Sequence, residues 1–338
     1  MKDFSTPLLA WYQQNKRDLP WRHTKDPYKI WLCEIIMQQT RVAQGLAYYN
    51  RFVEAFSTPA ALAGAPEAKV LKLWQGLGYY SRARNLHAAA KSMNGVFPPT
   101  YAGVRALKGV GDYTAAAICS IAYNMPYAVV DGNVYRVLSR VFGISTPIDS
   151  TEGKKQFAAL AQKLLDKKNP GDHNQALMDL GAMVCTPQAP QCLVCPLAKI
   201  CQAYQKGTQE KLPVKTQKTK ISTRYFHYIY VEQGNSTWLH QRGPGDVWQN
   251  LYEPPLAETP DEYLNSPLLK KWFGNSQIRT ITKTPLKHVL SHRVIYAHLY
   301  KVVLPPARKV PNGFIKIPVK SLPEYAVSRL VQKLLEQL

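Results

Sequence analysis

The chain changes its hydrophobic period once. Up to about residue 205, apolar positions recur at three- and four-residue spacing near 28–40, 43–56, 66–75, 81–93, 112–123, 132–142, 152–167 and 173–184, with Gly, Pro and Asn between them. Each stretch predicts an amphipathic helix. At the start, Thr6-Pro7 reads as an N-cap with proline at the first helical position, and Leu8, Leu9, Trp11 and Tyr12 form the apolar face. Lys211-Leu-Pro-Val-Lys215-Thr-Gln-Lys218-Thr-Lys220 then brings four lysines and no acid, the composition of a linker. Beyond it, 225–231, 237–241 and 294–303 are rich in aromatic and β-branched residues, as strands are. Ser321-Leu-Pro-Glu324 reads as a capping box opening a last helix with Val327, Leu330, Val331 and Leu334 on its apolar face. The pattern predicts a mainly α region followed by an α+β domain.

The apolar fraction of 46% over 338 residues excludes low-hydropathy disorder and suits two domains. No uninterrupted apolar run approaches the roughly 18 residues that a membrane span needs. The opening Met-Lys-Asp-Phe-Ser-Thr-Pro shows no signal-peptide pattern, so a soluble, intracellular chain is expected. Against 22 Asp and Glu stand 43 Lys and Arg, a net charge of +21. That excess fits a polyanionic partner, and composition alone does not choose among nucleic acid, an anionic membrane and ribosomal association.

Cysteine spacing narrows the field. Cys33 and Cys119 stand alone in apolar sequence and read as core thiols. Cys185, Cys192, Cys195 and Cys201 form C-x6-C-x2-C-x5-C, and four thiols this close in an intracellular chain point to a metal site. Four-cysteine zinc sites usually pair two C-x2-C knuckles, and only Cys192–Cys195 is one here. A [4Fe–4S] cluster suits the single compact loop better, with zinc as the alternative.

Two acids and one turn carry the chemistry. In Leu107-Lys-Gly109-Val110-Gly111-Asp-Tyr113-Thr114, a glycine turn opens an alanine-rich helix, where backbone N–H groups at the positive helix end can hold a phosphate. A close-packed helix–helix turn reads the same way. Asp131, in Asp131-Gly132-Asn133, follows an apolar run and precedes a helix, so it is either an N-cap or a carboxylate oriented toward substrate. Glu34 shares a helical face with Ile30 and Gln38 amid apolar residues. Such a carboxyl has a raised pKa, suited to a general acid, unless a helix terminus or arginine satisfies it.

Together, Glu34 with Gln38-Gln39-Thr40, the Leu107–Thr114 hairpin, Asp131-Gly132-Asn133 and the cysteine loop resemble the helix-hairpin-helix DNA glycosylases that carry an iron–sulfur cluster. Within them the chain resembles the A/G-specific adenine DNA glycosylases of the MutY type. The resemblance is close over about residues 5–205 and looser beyond. It implies a six-helix barrel plus iron–sulfur cluster domain over 1–207, with the [4Fe–4S] loop at 185–201. A basic linker over 208–222 and an α+β Nudix-like domain over 223–338, reading 8-oxoguanine, would follow. It further implies a cytoplasmic, nucleoid-associated monomer of bacterial type acting on double-stranded DNA that contains 8-oxoguanine:adenine or guanine:adenine mispairs, with no membrane partner.

By the same resemblance, Glu34 is the acid that protonates adenine, and Asp131 stabilises or traps the sugar cation. Tyr113 and Asn133 hydrogen-bond around them. Trp21, Arg22 and Gln175 would line the base pocket, and Gln39 and Tyr79 would enter the duplex. Gly109, Val110 and Gly111 would hold phosphate. Leu290, Ser291 and His292 stand where the family shows Phe-Ser-His, Leu290 departing from it. Endonuclease III-type relatives carry a Schiff-base lysine where this chain has Tyr113, which cannot form an imine, so a monofunctional glycosylase is implied. A bifunctional glycosylase/lyase and a non-catalytic mismatch-binding protein are the competing readings. The acidic cluster of a Nudix hydrolase is missing: Glu253-Pro-Pro-Leu-Ala-Glu258 is not it.

Overall fold

The computed structural model describes residues 2–216 and 221–338; Lys218 and Lys220 of the basic segment lie outside the described residues. The helices are α1 (Lys2–Asn15), α2 (Pro27–Met37), α3 (Val42–Ala55), α4 (Pro59–Gly64), α5 (Glu67–Trp74), α6 (Ser81–Ser92), α7 (Tyr101–Ala106), α8 (Asp112–Tyr123), α9 (Gly132–Val141), α10 (Thr151–Leu164), α11 (Pro170–Met183), α12 (Gln202–Gln205), α13 (Pro267–Phe273) and α14 (Arg329–Leu335). Among the described residues the first strand begins at Ser222, so the change of period marks the change of fold. No helix among them is long and apolar enough to cross a membrane.

The chain divides into two compact units, Met1–Gly64 with Ala88–Gln217 and Ala65–His87 with Lys218–Leu338. In the first, α11 is the central helix, packing against α1, α8 and α9, while α2 packs on α8. Small residues permit this crowding. Ala115, Ala116 and Ala117 of α8 are all buried, and a Cβ on Gly181 of α11 would meet the Asn133 Cβ at 2.6 Å. Residues 212–216 are tethered to this unit. Leu212 is buried, Ile148 N–H donates to the Val214 carbonyl at 3.0 Å, and Thr216 N–H donates to Asp149.

The second unit holds a mixed five-stranded sheet from β1 (Ser222–Glu232), β4 (Leu256–Thr259), β5 (Ile278–Thr280), β6 (Leu286–Val289) and β7 (Arg293–Val303), with β1 and β7 parallel at its centre. A three-stranded antiparallel sheet is ordered β3-β2-β8, from β2 (Ser236–Gln241), β3 (Tyr252–Glu253) and β8 (Phe314–Pro318). The two-residue period sorts the core. Phe226, Tyr228 and Tyr230 join Ile295, Ala297, Leu299 and the apolar face of α14, while Ile229 and Val231 join Trp238, Phe273 and Val302 on the other side.

Two local expectations fail. Thr6 does not cap α1, which starts at Lys2 and carries Pro7 inside it. Pro7 lies in the second turn, where the backbone bond lost is the one to the Asp3 carbonyl, so the helix continues through it. Ser321 and Glu324 do not form a capping box. They lie in a 3-10 turn, Val319–Glu324, and Ser328 caps α14 by accepting from Val331 N–H at 3.1 Å. A Ser328→Ala substitution is therefore expected to cost about 1 kcal/mol in chemical denaturation of the second unit. Ser321→Ala should stay within about 0.5 kcal/mol of the parent.

Candidate active site

Helix α2 is capped by Asp26, which accepts from Tyr28 N–H, and it buries Tyr28, Ile30, Trp31, Leu32, Cys33, Ile35 and Ile36. An acid on a helix apolar over most of its circumference is largely withdrawn from water. Glu34 is that acid: desolvation raises its pKa to about 7, while a hydrogen bond with Tyr113 and the charge of Arg22 work in the other direction. Asp131 adds repulsion. The structure thus brings Glu34, Tyr113 and Asp131 within electrostatic reach of one another. The Tyr113 hydroxyl also lies 3.3 Å from Met178 Sδ, and burial raises its pKa well above the ordinary phenol value, so it is a neutral hydrogen-bonding group.

Asp131 occupies the N-cap of α9. Its Oδ1 accepts from Val134 N–H at 2.8 Å and its Oδ2 from the Asn133 amide at 2.8 Å. Burial raises its pKa, opposed by these bonds and by Arg136. Arg136 fixes the arrangement. Its Nη2 donates to Asn133 Oδ1 at 2.7 Å and to the Gly181 carbonyl at 2.6 Å, and its Nε donates to the Cys185 carbonyl at 2.6 Å. The catalytic candidate and the first cysteine of the loop therefore share one guanidinium.

Trp21, Arg22 and Gln175 converge with Glu34, Ile30, Cys33, Ile121 and Met178 on a cavity of about 40 Å³. Arg22 is held there by Asp179, fully buried on α11, whose Oδ1 accepts from Arg22 Nη2 at 3.0 Å and from Arg17 Nε at 3.0 Å. Arg22 also donates to the Tyr12 hydroxyl. Its Nε is buried with no protein partner, a donor left over for whatever fills the pocket. Met178, Asp179, Arg17, Tyr12 and Arg136 escape the sequence reading. For the first two the signal is spacing, since they stand three and four residues after Gln175 and share its helical face.

In the hairpin, Val110 is buried and its N–H donates to the Leu107 carbonyl at 3.0 Å, whereas Gly109, at φ +83°, and Gly111 are exposed. Gln39, just beyond α2, is exposed at φ +55°. Tyr79 belongs to the second unit, 47% exposed at φ +47°. Such backbone conformations are costly for residues with a side chain and collect at functional positions. Also in the second unit, Ser291 and His292 form the tip of the β6–β7 hairpin, closed by Leu290 N–H donating to the Arg293 carbonyl at 2.8 Å. The Ser291 hydroxyl lies 3.1 Å from His292 Nδ1, and both residues are exposed. Leu290 packs against the core, and Val289 is the apolar side chain left 64% exposed beside the tip.

All four loop cysteines line one cavity of about 20 Å³ with Val137, Leu180 and Val184. Buried Arg140 frames it, its Nη1 3.4 Å from Cys185 Sγ and 2.7 Å from the Thr186 carbonyl. Burial pushes the Cys195 thiol up to about 11, so thiolates here require a positively charged core to bind. Among the described residues no three His, Cys, Asp or Glu side chains converge closely enough to hold a single ion. Four sulfurs around the wall of a cavity suit a larger inorganic core.

The comparisons with known proteins agree with this geometry. Residues 32–167 match the family described as HhH-GPD superfamily base excision DNA repair protein, and residues 227–337 match the NUDIX domain. The chain is 32% identical to the adenine DNA glycosylase of Buchnera aphidicola subsp. Acyrthosiphon pisum, across 98% of this chain and 97% of that one. It belongs to the adenine DNA glycosylase family. The Homo sapiens adenine DNA glycosylase is 45% identical over 62% of this chain and 41% of its own. A thermostable thymine-DNA glycosylase structure superposes with a TM-score of 0.57 at 31% identity, covering 61% of this chain and 96% of that one. The chain is thus a DNA glycosylase of helix-hairpin-helix fold with a Nudix-like domain.

Two outcomes follow for this adenine DNA glycosylase family member. A group protonated in the native state up to about pH 7 but ionised above its ordinary value of 4.5 when unfolded lowers stability as pH rises through that window. Glu34→Gln should therefore gain thermal stability relative to the parent between pH 5 and about 7.5, in calorimetric scans at both pH values. Arg136→Lys keeps the charge but loses the fork that spans Asn133, Gly181 and Cys185. It should slow single-turnover base release by about 10- to 100-fold.

Proposed function

We propose that this chain is a monofunctional glycosylase that hydrolyses the N-glycosidic bond of adenine mispaired with 8-oxoguanine or guanine. The observation that carries the reading is the pairing of Glu34, raised to about 7 on the pocket wall, with Asp131, whose charge reaches Glu34 and whose oxygens are separately oriented by Val134 N–H and the Asn133 amide. The target adenine leaves the stack at a cost of a few kcal/mol, lower for a mispair. In the cavity, Trp21 supplies an apolar wall, and Gln175 and Arg22 supply hydrogen-bonding edges. Near neutral pH Glu34 holds a proton to give to a ring nitrogen as the bond to the sugar lengthens. Asp131, its anionic form supported by Val134 N–H, Asn133 and the positive end of α9, faces the positive charge that grows on the deoxyribose. It stabilises that charge or bonds to it before water completes hydrolysis. Acid and stabiliser are thus divided by environment, as in retaining sugar hydrolases.

Tyr113 supports the monofunctional assignment, because a phenol cannot form the Schiff base that precedes strand cleavage. The exposed Gly109 and Gly111 suit phosphate contact, and the Ser291–His292 tip supplies polar edges for an oxidised purine. Cys185, Cys192, Cys195 and Cys201 would hold a [4Fe–4S] cluster, whose contribution is to shape the loop that Arg136 and Arg140 grip. The chain is read as a monomer working in a bacterial cytoplasm.

The decisive measurement is adenine release from an 8-oxoguanine:adenine duplex under single-turnover conditions. Glu34→Gln and Asp131→Asn should each suppress release while leaving duplex binding intact, and near-parental rates in either variant sink the assignment. The product strand should stay uncut until alkali is added, and borohydride should trap no covalent complex.

A further inference from the structure

We propose that Tyr80 is a positioning residue through which the main chain of Tyr325–Val327 sets the turn that presents Tyr79 to the duplex. The proposal rests on the reading of Tyr79 as a side chain that enters the helix beside the mispair. It adds a function for the C-terminal part of the chain that is separate from the hairpin tip at Ser291.

The turn after α5 is improbable on its own. Gly76, Gly78 and Tyr79 have φ of +100°, +75° and +47°, three left-handed residues within four. Gly76 and Gly78 adopt that region without strain; Tyr79 does not, and a strained residue persists only where its surroundings over-determine it. Part of the restraint is local. Trp74 Nε1 donates to the Gly78 carbonyl at 3.0 Å, Arg82 Nη2 donates to the same carbonyl at 3.2 Å, and Arg82 N–H donates to the Tyr79 carbonyl at 2.9 Å. The Arg82 guanidinium lies over the rings of Trp74 and Tyr79, 5.0 and 5.7 Å from their centroids.

The rest comes from some 250 residues away in sequence, within the same compact unit. The buried Tyr80 hydroxyl accepts from Gly76 N–H at 3.2 Å and donates to the Val327 carbonyl at 3.3 Å, so one oxygen joins the start of the turn to the segment before α14. Lys72 Nζ donates to the Tyr325 carbonyl at 3.2 Å and to Gln75 Oε1 at 3.0 Å, and Gln75 Oε1 accepts from Val327 N–H at 3.4 Å. Val327 is itself buried in the core formed by α14, β1 and β7. The strained turn is thereby tied to the sheet whose β6–β7 hairpin carries Ser291. Tyr79 is half exposed on the turn that these bonds hold.

The test is single-turnover adenine release from the 8-oxoguanine:adenine duplex at varied enzyme concentration, for the full chain, Tyr79→Ala, Tyr80→Phe and the double variant. Tyr80→Phe keeps the packed ring and removes both hydroxyl bonds. It should raise the half-saturating enzyme concentration about tenfold and leave the plateau rate unchanged. In the double variant it should add nothing to Tyr79→Ala, because its effect passes through Tyr79. Effects that multiply independently, or a Tyr80→Phe protein indistinguishable from the parent, overturn the proposal alone. A Tyr79→Ala protein that binds and reacts like the parent overturns the reading of Tyr79 and the proposal with it. Lys72→Met, which cuts the Tyr325 tether and leaves the Tyr80 ring in place, must show the same dependence on Tyr79; independent behaviour counts against the proposal even if Tyr80→Phe lowers stability.

Discussion

A buried carboxylate at a helix start needs a donor for each oxygen, and Asp131 has one in Val134 N–H and another in the Asn133 amide. The amide is useful only if its own oxygen is held, and Arg136 holds it while bonding the carbonyls of Gly181 and Cys185. Three segments therefore meet at one guanidinium: the cap of α9, the last turns of α11 and the start of the cysteine loop. Gly181 is the steric condition for this meeting, because any side chain there would push α9 away and take Asn133 with it. The backbone of the cysteine loop, through the Cys185 carbonyl, is one of the partners that hold Arg136 against Asn133.

The two carboxyl groups differ because their surroundings differ. Burial raises the pKa of Asp131, and the donors at the positive end of its helix work against that rise. Glu34 sits on an apolar helix, and Tyr113 and Arg22 offset the desolvation only in part. Keeping a proton on Glu34 near neutral pH is a cost to the native state that a glutamine would not impose. In the proposed function that cost keeps an acid protonated beside a second carboxyl held by donors, the division of roles that splitting a glycosidic bond uses.

Much of this was legible from residue order because the relevant signals are local. Apolar periodicity located most of the longer helices, since each buries one face, and aromatic and β-branched enrichment located β1 and β7, whose side chains feed two cores. Asp131 was readable as a cap because its signal is local, and the cap is what the structure shows. Pro7 and Ser321 misled for a related reason: a proline and a serine with a glutamate three residues on are helix starts only when the chain on either side agrees. Arg136 gave no sign, because its partners are carbonyls of Gly181 and Cys185, and every residue has a carbonyl. The assignment of Ala65–His87 to the second unit was equally hidden. Among the bonds that join it to the rest of that unit, those from Lys72 and Tyr80 go to main-chain atoms of Tyr325 and Val327, for which no side-chain identity is required.

The net charge of +21 separates into two populations once the arginines are placed. Arg22, Arg136 and Arg140 are committed to Asp179, to Asn133 and to main-chain carbonyls, so they hold the site together and have little left to offer a phosphate. Attraction to a polyanion then falls to exposed lysines and arginines, whose effect is long-ranged, indifferent to base sequence and weakened by salt. In the proposed function, discrimination belongs to groups that carry no formal charge or sit out of water: the Tyr79 ring, the Ser291 hydroxyl, Gln175 and a protonated Glu34. Ionic strength acts strongly on the first population and weakly on the second. A protein built this way can loosen its hold on DNA as salt rises while the difference it draws between one base pair and another stays nearly constant.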